Sequence, residues 1–370
     1  MVRLLLALQI AAPAAQAPAV PAPPPLGTVE GDPVRAERRA RAMGTTVWVA
    51  VDAPDRGTAL AGTERALGEI ERYERLLGTW DSATALGRLN RAPVGVAIAA
   101  PAAPSELLAL LAEAATLSRN TGGAFDARVG ALVELWGLRS GGRTPSPAEL
   151  VRARPSWGPG AFEVSDSAAS RSHRDAWIDS GGFGKGAALR AAADAVRATG
   201  ARHAVLDLGG QLQVVGAGAA GADAWHVAVA HPVYRTTPVA RLALVDASVA
   251  TSGTSERGRH ILDPRSGLPV EPWGSVTVVA PDALLADVLS TALYVMGPEA
   301  GMAWLAGRDD VGALFLSVDG SGGVTPRWNA AMDRWMTHPP VDGGGRALDS
   351  DPAGTTPSRP SDSNVTQGDS

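Results

Sequence analysis

Hydrophobic and polar positions alternate with two different periods in the first half of the chain. Residues 45–53 (TTVWVAVDA) alternate with the period of two that is typical of a strand. Residues 58–78 carry apolar positions at helical spacing opposite a charged face, which predicts an amphipathic helix. A second helix is predicted after Ser105, which can cap it, and should stop at the Gly122–Gly123 pair. A third, alanine-rich helix is predicted over residues 187–200.

The second half of the chain is dominated by short apolar runs that indicate strands. They lie at residues 203–210, 212–216, 224–230, 242–251 and 275–280. A helix over residues 282–297 and a strand over 312–318 follow them. Helices early, strands in the middle and a late helix predict an α+β fold with a mixed or largely antiparallel sheet.

Composition suggests where the folded part begins and ends. The chain has 370 residues, 45% of them hydrophobic, enough for one large domain or two moderate ones. Residues 1–34 combine a signal-like segment with a Pro-rich linker, and residues 339–370 show no apolar periodicity. We therefore expect a single folded domain over residues 35–338 and a disordered tail after it.

The first twenty residues, MVRLLLALQIAAPAAQAPAV, have a short basic start, an apolar run and Ala-x-Ala sites. This pattern favours a secretory signal and export to the periplasmic or cell-envelope side. The alternative is a disordered Ala/Pro tail on a cytoplasmic protein. No other segment resembles a transmembrane helix.

Charge and cysteine content exclude several classes of function. The net charge is −5 and the basic residues are dispersed, which argues against nucleic-acid binding. The chain contains no cysteine. Disulfides, thiol nucleophiles and a lipid anchor on cysteine are therefore excluded.

One glycine-rich segment has the pattern of a phosphate-binding loop. Residues 178–189 (IDSGGFGKGAAL) run from a strand end into a helix, where backbone amides and Lys185 could hold a phosphate. Gly186 follows the lysine where a Walker A loop has Ser or Thr, so that class is excluded. The alternative is a tight turn with a surface lysine.

A second glycine pattern is interpreted differently. Residues 216–221 (GAGAAG) match the dinucleotide fingerprint, but the sequence after them is typical of a strand rather than of the helix that this fingerprint needs. We interpret them as a hairpin turn.

The late apolar helix carries Asp287 and Thr291 four residues apart, on one face. A buried carboxylate needs a partner, and these two oxygen ligands suit Mg²⁺ beside a phosphate. Pairing of Asp287 with a core arginine is the alternative.

His260 and Asp263 lie near a Pro-Arg-Ser-Gly turn and could act as base or acid. A purely structural histidine is equally compatible with this pattern.

Six segments, in order, resemble motifs of the FAD:protein FMN transferases, the ApbE family. They are MGTTVWV (43–49), TWDSATALGRLN (79–90), TGGAFDARVGALVELWG (121–137), DSGGFGKG (179–186), HILDPRSGLPV (260–270) and ADVLSTAL (286–293). The resemblance covers most of the part expected to fold, and implies one large domain with the fold of that family. It also implies Mg²⁺-dependent transfer of FMN from FAD to a Thr or Ser hydroxyl of an acceptor protein, with release of AMP.

Matching positions imply the residues of the site. Contacts with FAD are implied for Met43, Trp80, Ala124, Phe125, Asp126, Asp179, Lys185 and Ile261. A metal site is implied for Asp287, Thr291 and the backbone carbonyl of Gly182. Trp80 stands where the family usually has tyrosine, and either ring can stack on a flavin or an adenine.

Three functions remain open at this stage. In the transferase, His260 or Asp263 would take the proton of the acceptor hydroxyl. A Mg²⁺-dependent FAD pyrophosphatase would use the same site with water in place of that hydroxyl. A non-catalytic FAD-binding protein would need no metal on the diphosphate. The sequence does not indicate the acceptor.

Overall fold

The structure is a computed structural model that describes residues 33–218, 222–253 and 260–340. The signal-like segment and nearly all of the C-terminal tail lie outside the described residues, as does part of the GAGAAG segment. The first strand begins at Val34 and the last ends at His338. The boundaries of the folded domain stay a prediction.

Seven α-helices lie within the described residues. They are α1 (Arg56–Leu77), α2 (Ala85–Leu89), α3 (Ser105–Asn120), α4 (Gly130–Leu135), α5 (Pro147–Ala153), α6 (Gly184–Arg197) and α7 (Ala283–Leu305). Short 3₁₀ helices occupy Arg154–Ser156 and Ala330–Arg334. None of the helices in this part of the chain is both long and apolar enough to cross a membrane.

The same residues form sixteen strands. The first eight are β1 (Val34–Ala42), β2 (Thr45–Ala53), β3 (Ile98–Ala99), β4 (Phe162–Val164), β5 (Ala168–Arg171), β6 (His203–Leu208), β7 (Gln211–Val215) and β8 (Trp225–Ala230). The other eight are β9 (Pro238–Leu244), β10 (Ser248–Gly253), β11 (Leu262–Asp263), β12 (Leu268–Pro269), β13 (Gly274–Ala280), β14 (Gly312–Val318), β15 (Val324–Trp328) and β16 (Met336–His338).

The main sheet has eight strands in the order β1-β2-β6-β7-β10-β13-β14-β15, and every neighbouring pair is antiparallel. The prediction of an α+β fold with a largely antiparallel sheet is confirmed. Met43 and Gly44 make the two-residue hairpin loop between β1 and β2, with φ values of 50° and 74°. Both residues at the centre of such a type I′ turn need positive φ.

The sheet separates two apolar layers. Val49 and Val51 of β2 face a core that includes buried residues of α1, α6 and α7. Ala50, between them, faces the opposite layer, where the small sheet β16-β9-β8 packs. Successive side chains of a strand point to opposite faces, so one strand contributes to both cores. Helix α7 is buried along most of its first half, as its apolar sequence predicts.

Several element predictions need correction. Ser105 is the first residue of α3 and Pro104 is the N-cap, so Ser105 makes no capping hydrogen bond. The apolar run at residues 242–251 is two strands, β9 and β10, separated by a turn in which Asp246 has φ of 44°. Aspartate tolerates this left-handed conformation because its short side chain can bond locally. Helix α6 begins at Gly184, three residues earlier than predicted.

Candidate active site

The glycine-rich loop starts at Ile178, whose backbone is held by the buried side-chain amide of Asn90. Asn90 donates from Nδ2 to the carbonyl of Ile178 at 2.9 Å and accepts from the Ile178 amide at 2.8 Å. The amide of Asp179 donates to the carbonyl of Ala127 at 2.8 Å. Asn90 lies in the matched GRLN segment, but no role was predicted for it. Its paired bonds fix where the loop begins.

Asp179 is buried at the start of this loop. Its carboxylate accepts from the amide of Gly181 at 2.6 Å and from the guanidinium of Arg139. Burial raises the pKa of Asp179, while the charge of Arg139 and the Gly181 amide oppose that rise. The carboxyl group therefore organises the loop backbone, and Arg139 was not predicted from the sequence.

Lys185 and Asp287, from the two separate motifs, meet across the helices α6 and α7. Lys185 Nζ lies 3.2 Å from Asp287 Oδ1, and the amide of Gly186 donates to Asp287 Oδ2 at 2.9 Å. Asp287 is only 4% exposed. Its ionic partner is thus this lysine, not the core arginine of the alternative interpretation.

The two helices approach closely because Gly186 has no side chain. A Cβ built on Gly186 would lie 2.4 Å from the Ala283 carbonyl oxygen and 2.7 Å from the Leu284 Cα. Buried Gln211 supports the contact by donating from Nε2 to the same Ala283 carbonyl at 2.8 Å. Without this approach, Lys185 and Asp287 would not reach each other.

Thr291 lies beside the glycine-rich loop, one turn beyond Asp287. A Cβ built on Gly182 would be 3.7 Å from Thr291 Oγ1 and 3.2 Å from the ring of Phe125. The structure thus brings together Asp287, Thr291 and Gly182. Carboxylate, hydroxyl and backbone carbonyl oxygens are hard donors, the kind that Mg²⁺ prefers. No group of three or more His, Asp or Glu side chains suited to a metal occurs in the described part of the chain. The protein would supply one carboxylate, as is common for Mg²⁺ beside phosphates.

The rings of Trp80 and Trp177, here called the aromatic group, lie against Arg139, the ionic partner of Asp179. The guanidinium carbon of Arg139 lies 4.4 Å from the centroid of the Trp80 ring and 5.0 Å from that of Trp177. Arg139 also donates to Thr79 Oγ1 at 2.7 Å. Trp80 remains 72% exposed, so a large aromatic surface is presented to solvent. This arrangement suits stacking of a planar ring.

Met43 and Phe125 lie against the glycine-rich loop, and their predicted contacts with FAD stay predictions. Met43 donates its amide to Glu74 Oε1 at 2.8 Å, and its Cε would be 3.3 Å from a Cβ on Gly184. Phe125 is 3% exposed beside Gly182. Ala124, next to Phe125, is buried as well.

Asp126 is engaged in a buried ion pair. Arg128 donates to its two carboxylate oxygens at 2.8 Å each, and Ser118 Oγ adds a bond of 3.1 Å. The carboxylate is thereby satisfied within the protein. A contact between Asp126 and FAD stays a prediction.

The candidate proton acceptors border a hairpin formed by β11 and β12. Asp263 is held by Arg265 through bonds of 2.9 Å and 3.0 Å to its two carboxylate oxygens. Ile261 is buried, and its carbonyl accepts from the Val270 amide at 2.9 Å. His260 is partly buried and follows residues 254–259, which lie outside the described residues. The base role of His260 or Asp263 stays a prediction.

Two tryptophans attach this hairpin to the rest of the site. Trp136 Nε1 donates to the carbonyl of Gly267 at 2.8 Å, and Trp157 Nε1 donates to that of Pro264 at 3.0 Å. Trp136 belongs to the matched LWG segment, three residues before Arg139. One short segment therefore contacts both the hairpin and the aromatic group.

Comparison with solved structures gives the same fold. "Flavin Transferase ApbE from Vibrio cholerae" superposes with a TM-score of 0.73 at 25% identity, covering 82% of this chain and 99% of that chain. The apo form of the flavinyl transferase ApbE of Pseudomonas stutzeri gives 0.72 at 27% identity, covering 82% and 96%.

Sequence comparison agrees. The FAD:protein FMN transferase of Salmonella typhimurium is 29% identical over 315 residues, covering 80% of this chain and 88% of that protein. One of Klebsiella pneumoniae with the same name is 30% identical over 282 residues, covering 70% and 78%. The model of the ApbE family matches residues 43–315, which include every site residue described above. The chain therefore belongs to the ApbE family.

Proposed function

We propose that the protein is a FAD:protein FMN transferase, which moves FMN from FAD to a Thr or Ser hydroxyl of an acceptor protein and releases AMP. The observation that supports the proposal is the contact of Lys185 and Gly186 with Asp287, a residue that we propose as a Mg²⁺ ligand. The names of the related proteins support the same activity.

The glycine-rich loop and Lys185 would bind the diphosphate of FAD. Backbone amides at the start of α6 and the lysine charge both favour a phosphate oxygen. Asp287, Thr291 and the carbonyl of Gly182 would hold Mg²⁺, which when bound neutralises charge on the diphosphate. The remaining predicted contacts, Met43, Trp80, Ala124, Phe125, Asp126, Asp179 and Ile261, would surround the rest of FAD.

The transfer is a substitution at the phosphorus atom of the FMN half. The acceptor hydroxyl oxygen forms the new P–O bond, and the bond from that phosphorus to the bridging oxygen breaks. The bridging oxygen leaves with AMP, and the hydroxyl proton passes to His260 or Asp263. Such a reaction depends mainly on alignment and charge neutralisation by the protein.

Export would place this activity outside the cytoplasm. The proposal is supported by the signal-like composition of the first twenty residues. Fractionation of cells that produce the full chain, with N-terminal sequencing of the mature protein, tests it. A full-length protein recovered in the cytoplasm would contradict export.

The activity is tested by incubating the purified protein with FAD, Mg²⁺ and a soluble acceptor domain that carries a candidate Thr or Ser. We expect an acceptor mass increased by one FMN and one AMP released per adduct. Asp287→Ala should abolish the adduct. Free FMN and AMP without an adduct would instead indicate the pyrophosphatase, and bound but unconverted FAD would indicate a binding protein.

A further inference from the structure

Arg139 joins two parts of the site that are far apart in the chain, residues 79–80 and 177–179. Its guanidinium lies over the ring of Trp80, contacts the ring of Trp177, bonds Thr79 at 2.7 Å and pairs with Asp179. Asp179 in turn accepts from the Gly181 amide at 2.6 Å. A continuous set of contacts thus runs from the exposed indole of Trp80 to the glycine-rich loop.

The geometry favours a supporting role for Arg139 over displacement by a ligand. Arg139 covers one face of Trp80, yet the residue is 72% exposed, so its other face is open to solvent. Displacing the guanidinium would leave the carboxylate of Asp179 buried without its ionic partner, which is costly. A ring that stacks on Trp80 can do so with Arg139 in place.

We propose that Arg139 is a positioning residue of the flavin site: it fixes the indole of Trp80 for stacking against an aromatic ring of FAD and ties that indole to the glycine-rich loop. The proposal rests on the proposed function, because it takes FAD as the ligand. Its physical basis is that an exposed indole without such support samples several rotamers. Restricting the ring to one rotamer on binding costs conformational entropy, which lowers the affinity for FAD.

The planar guanidinium is the feature under test. A lysine at this position keeps the charge beside Asp179 but cannot stack flat on an indole. The informative variants are therefore Arg139→Lys, Arg139→Met, Trp80→Leu and the double variant Arg139→Met/Trp80→Leu. Arg308→Met is the matched control, because Arg308 lies 3.8 Å from the Trp304 centroid, a second Arg–Trp stack that contains no predicted site residue.

FAD binding is measured directly by quenching of flavin fluorescence, without an acceptor. We expect the Kd for FAD to rise about tenfold in Arg139→Met and Trp80→Leu, the size of one stacking interaction. The double variant should bind like Trp80→Leu, because Arg139 acts through that ring. Arg139→Lys should resemble Arg139→Met, while Arg308→Met should bind like the wild type.

Three results would overturn the proposal: a Kd within twofold of wild type in Arg139→Met, additive losses in the double variant, or full affinity in Arg139→Lys. Thermal unfolding identifies any variant that fails to fold, and Arg139→Lys then carries the comparison.

A protein that binds FAD but never transfers FMN contradicts only the proposed function. Transfer with unchanged binding in Arg139→Met contradicts only the role of Arg139. No FAD binding by the wild type contradicts both.

Discussion

Lys185 Nζ lies 3.2 Å from Asp287 Oδ1, although the two residues are 102 positions apart in the chain. The carboxylate is almost fully buried, and the Gly186 amide binds its second oxygen. Within the described residues, the contact joins the glycine-rich loop to helix α7, the two motifs to which the proposed function assigns the FAD diphosphate and Mg²⁺.

Asp287→Asn should lower kcat/KM for FMN transfer by at least about 100-fold, or ~2.7 kcal/mol, because it removes the charge that we propose to hold Mg²⁺. Asparagine keeps the size of the side chain, so the packing of α6 on α7 should persist. Transfer rates and circular dichroism measure the two effects. Asp194→Asn, at an exposed position of α6, is the control. Normal transfer by Asp287→Asn would remove the metal site from the proposal.

Thr291→Val should raise the Mg²⁺ concentration needed for half-maximal transfer roughly tenfold, because one oxygen donor is lost and the shape is kept. The rate at saturating Mg²⁺ should change much less. A Mg²⁺ titration of the transfer rate measures both quantities. An unchanged half-maximal concentration would show that the Thr291 hydroxyl is not a ligand.

Gly186→Ala should lower the free energy of unfolding by about 1–3 kcal/mol, because the new Cβ meets the backbone of α7. Chemical denaturation measures the change. Gly68→Ala is a matched control, since a Cβ at this exposed position of α1 meets nothing within 4 Å. That variant should gain about 0.5–1 kcal/mol from the better helix propensity of alanine. Equal stability of the two variants would contradict the close approach.

Asn90→Ala should destabilise the protein by about 1–3 kcal/mol, because the amide and carbonyl of Ile178 lose their partners in a buried place. FAD affinity should fall as well, since the glycine-rich loop begins at the next residue. Denaturation and FAD titration measure these effects. A loss of stability with unchanged affinity would mean that Asn90 does not position the loop.

Asp207→Asn should stabilise the protein at pH 8 and have a smaller effect near pH 4. Burial raises the pKa of Asp207, so the folded state resists its ionisation, although the Gly210 amide at 2.8 Å opposes the shift. The wild type therefore loses stability as the pH rises from the ordinary carboxyl pKa through the raised one. Melting temperatures across this range measure the difference. A stabilisation that grows toward low pH would contradict this sign.

Periodicity predicted the elements that are amphipathic or uniformly apolar. β2 and β14 have the predicted bounds, and α7 is buried as expected. β1 was missed because it is an edge strand rich in arginine, whose charged residues hide the alternation. Helix α6 was placed too late because glycines usually oppose helix formation, whereas Gly186 is required here by packing.

Residues of the candidate site with unusual chemistry could be singled out from the sequence, whereas residues that act through distant contacts could not. Asp287, an acid on an apolar helix, and Lys185, a lysine among glycines, each indicated a phosphate or metal site. The structure brings these two side chains into contact. Arg139 and Asn90 carried no such signal, since arginines and asparagines are common in any chain. Their roles depend on Trp80, Asp179 and Ile178, which only the folded chain brings near them.

Helix α7 has a consequence for how the site behaves over time. Asp287 and Thr291 lie in its first half, where most side chains pack in the interior of the domain. Segments of this kind exchange their amide hydrogens only when the whole domain unfolds. The proposed cation ligands would thus keep their positions for as long as the native state itself lasts, while exposed loops fluctuate on far shorter timescales.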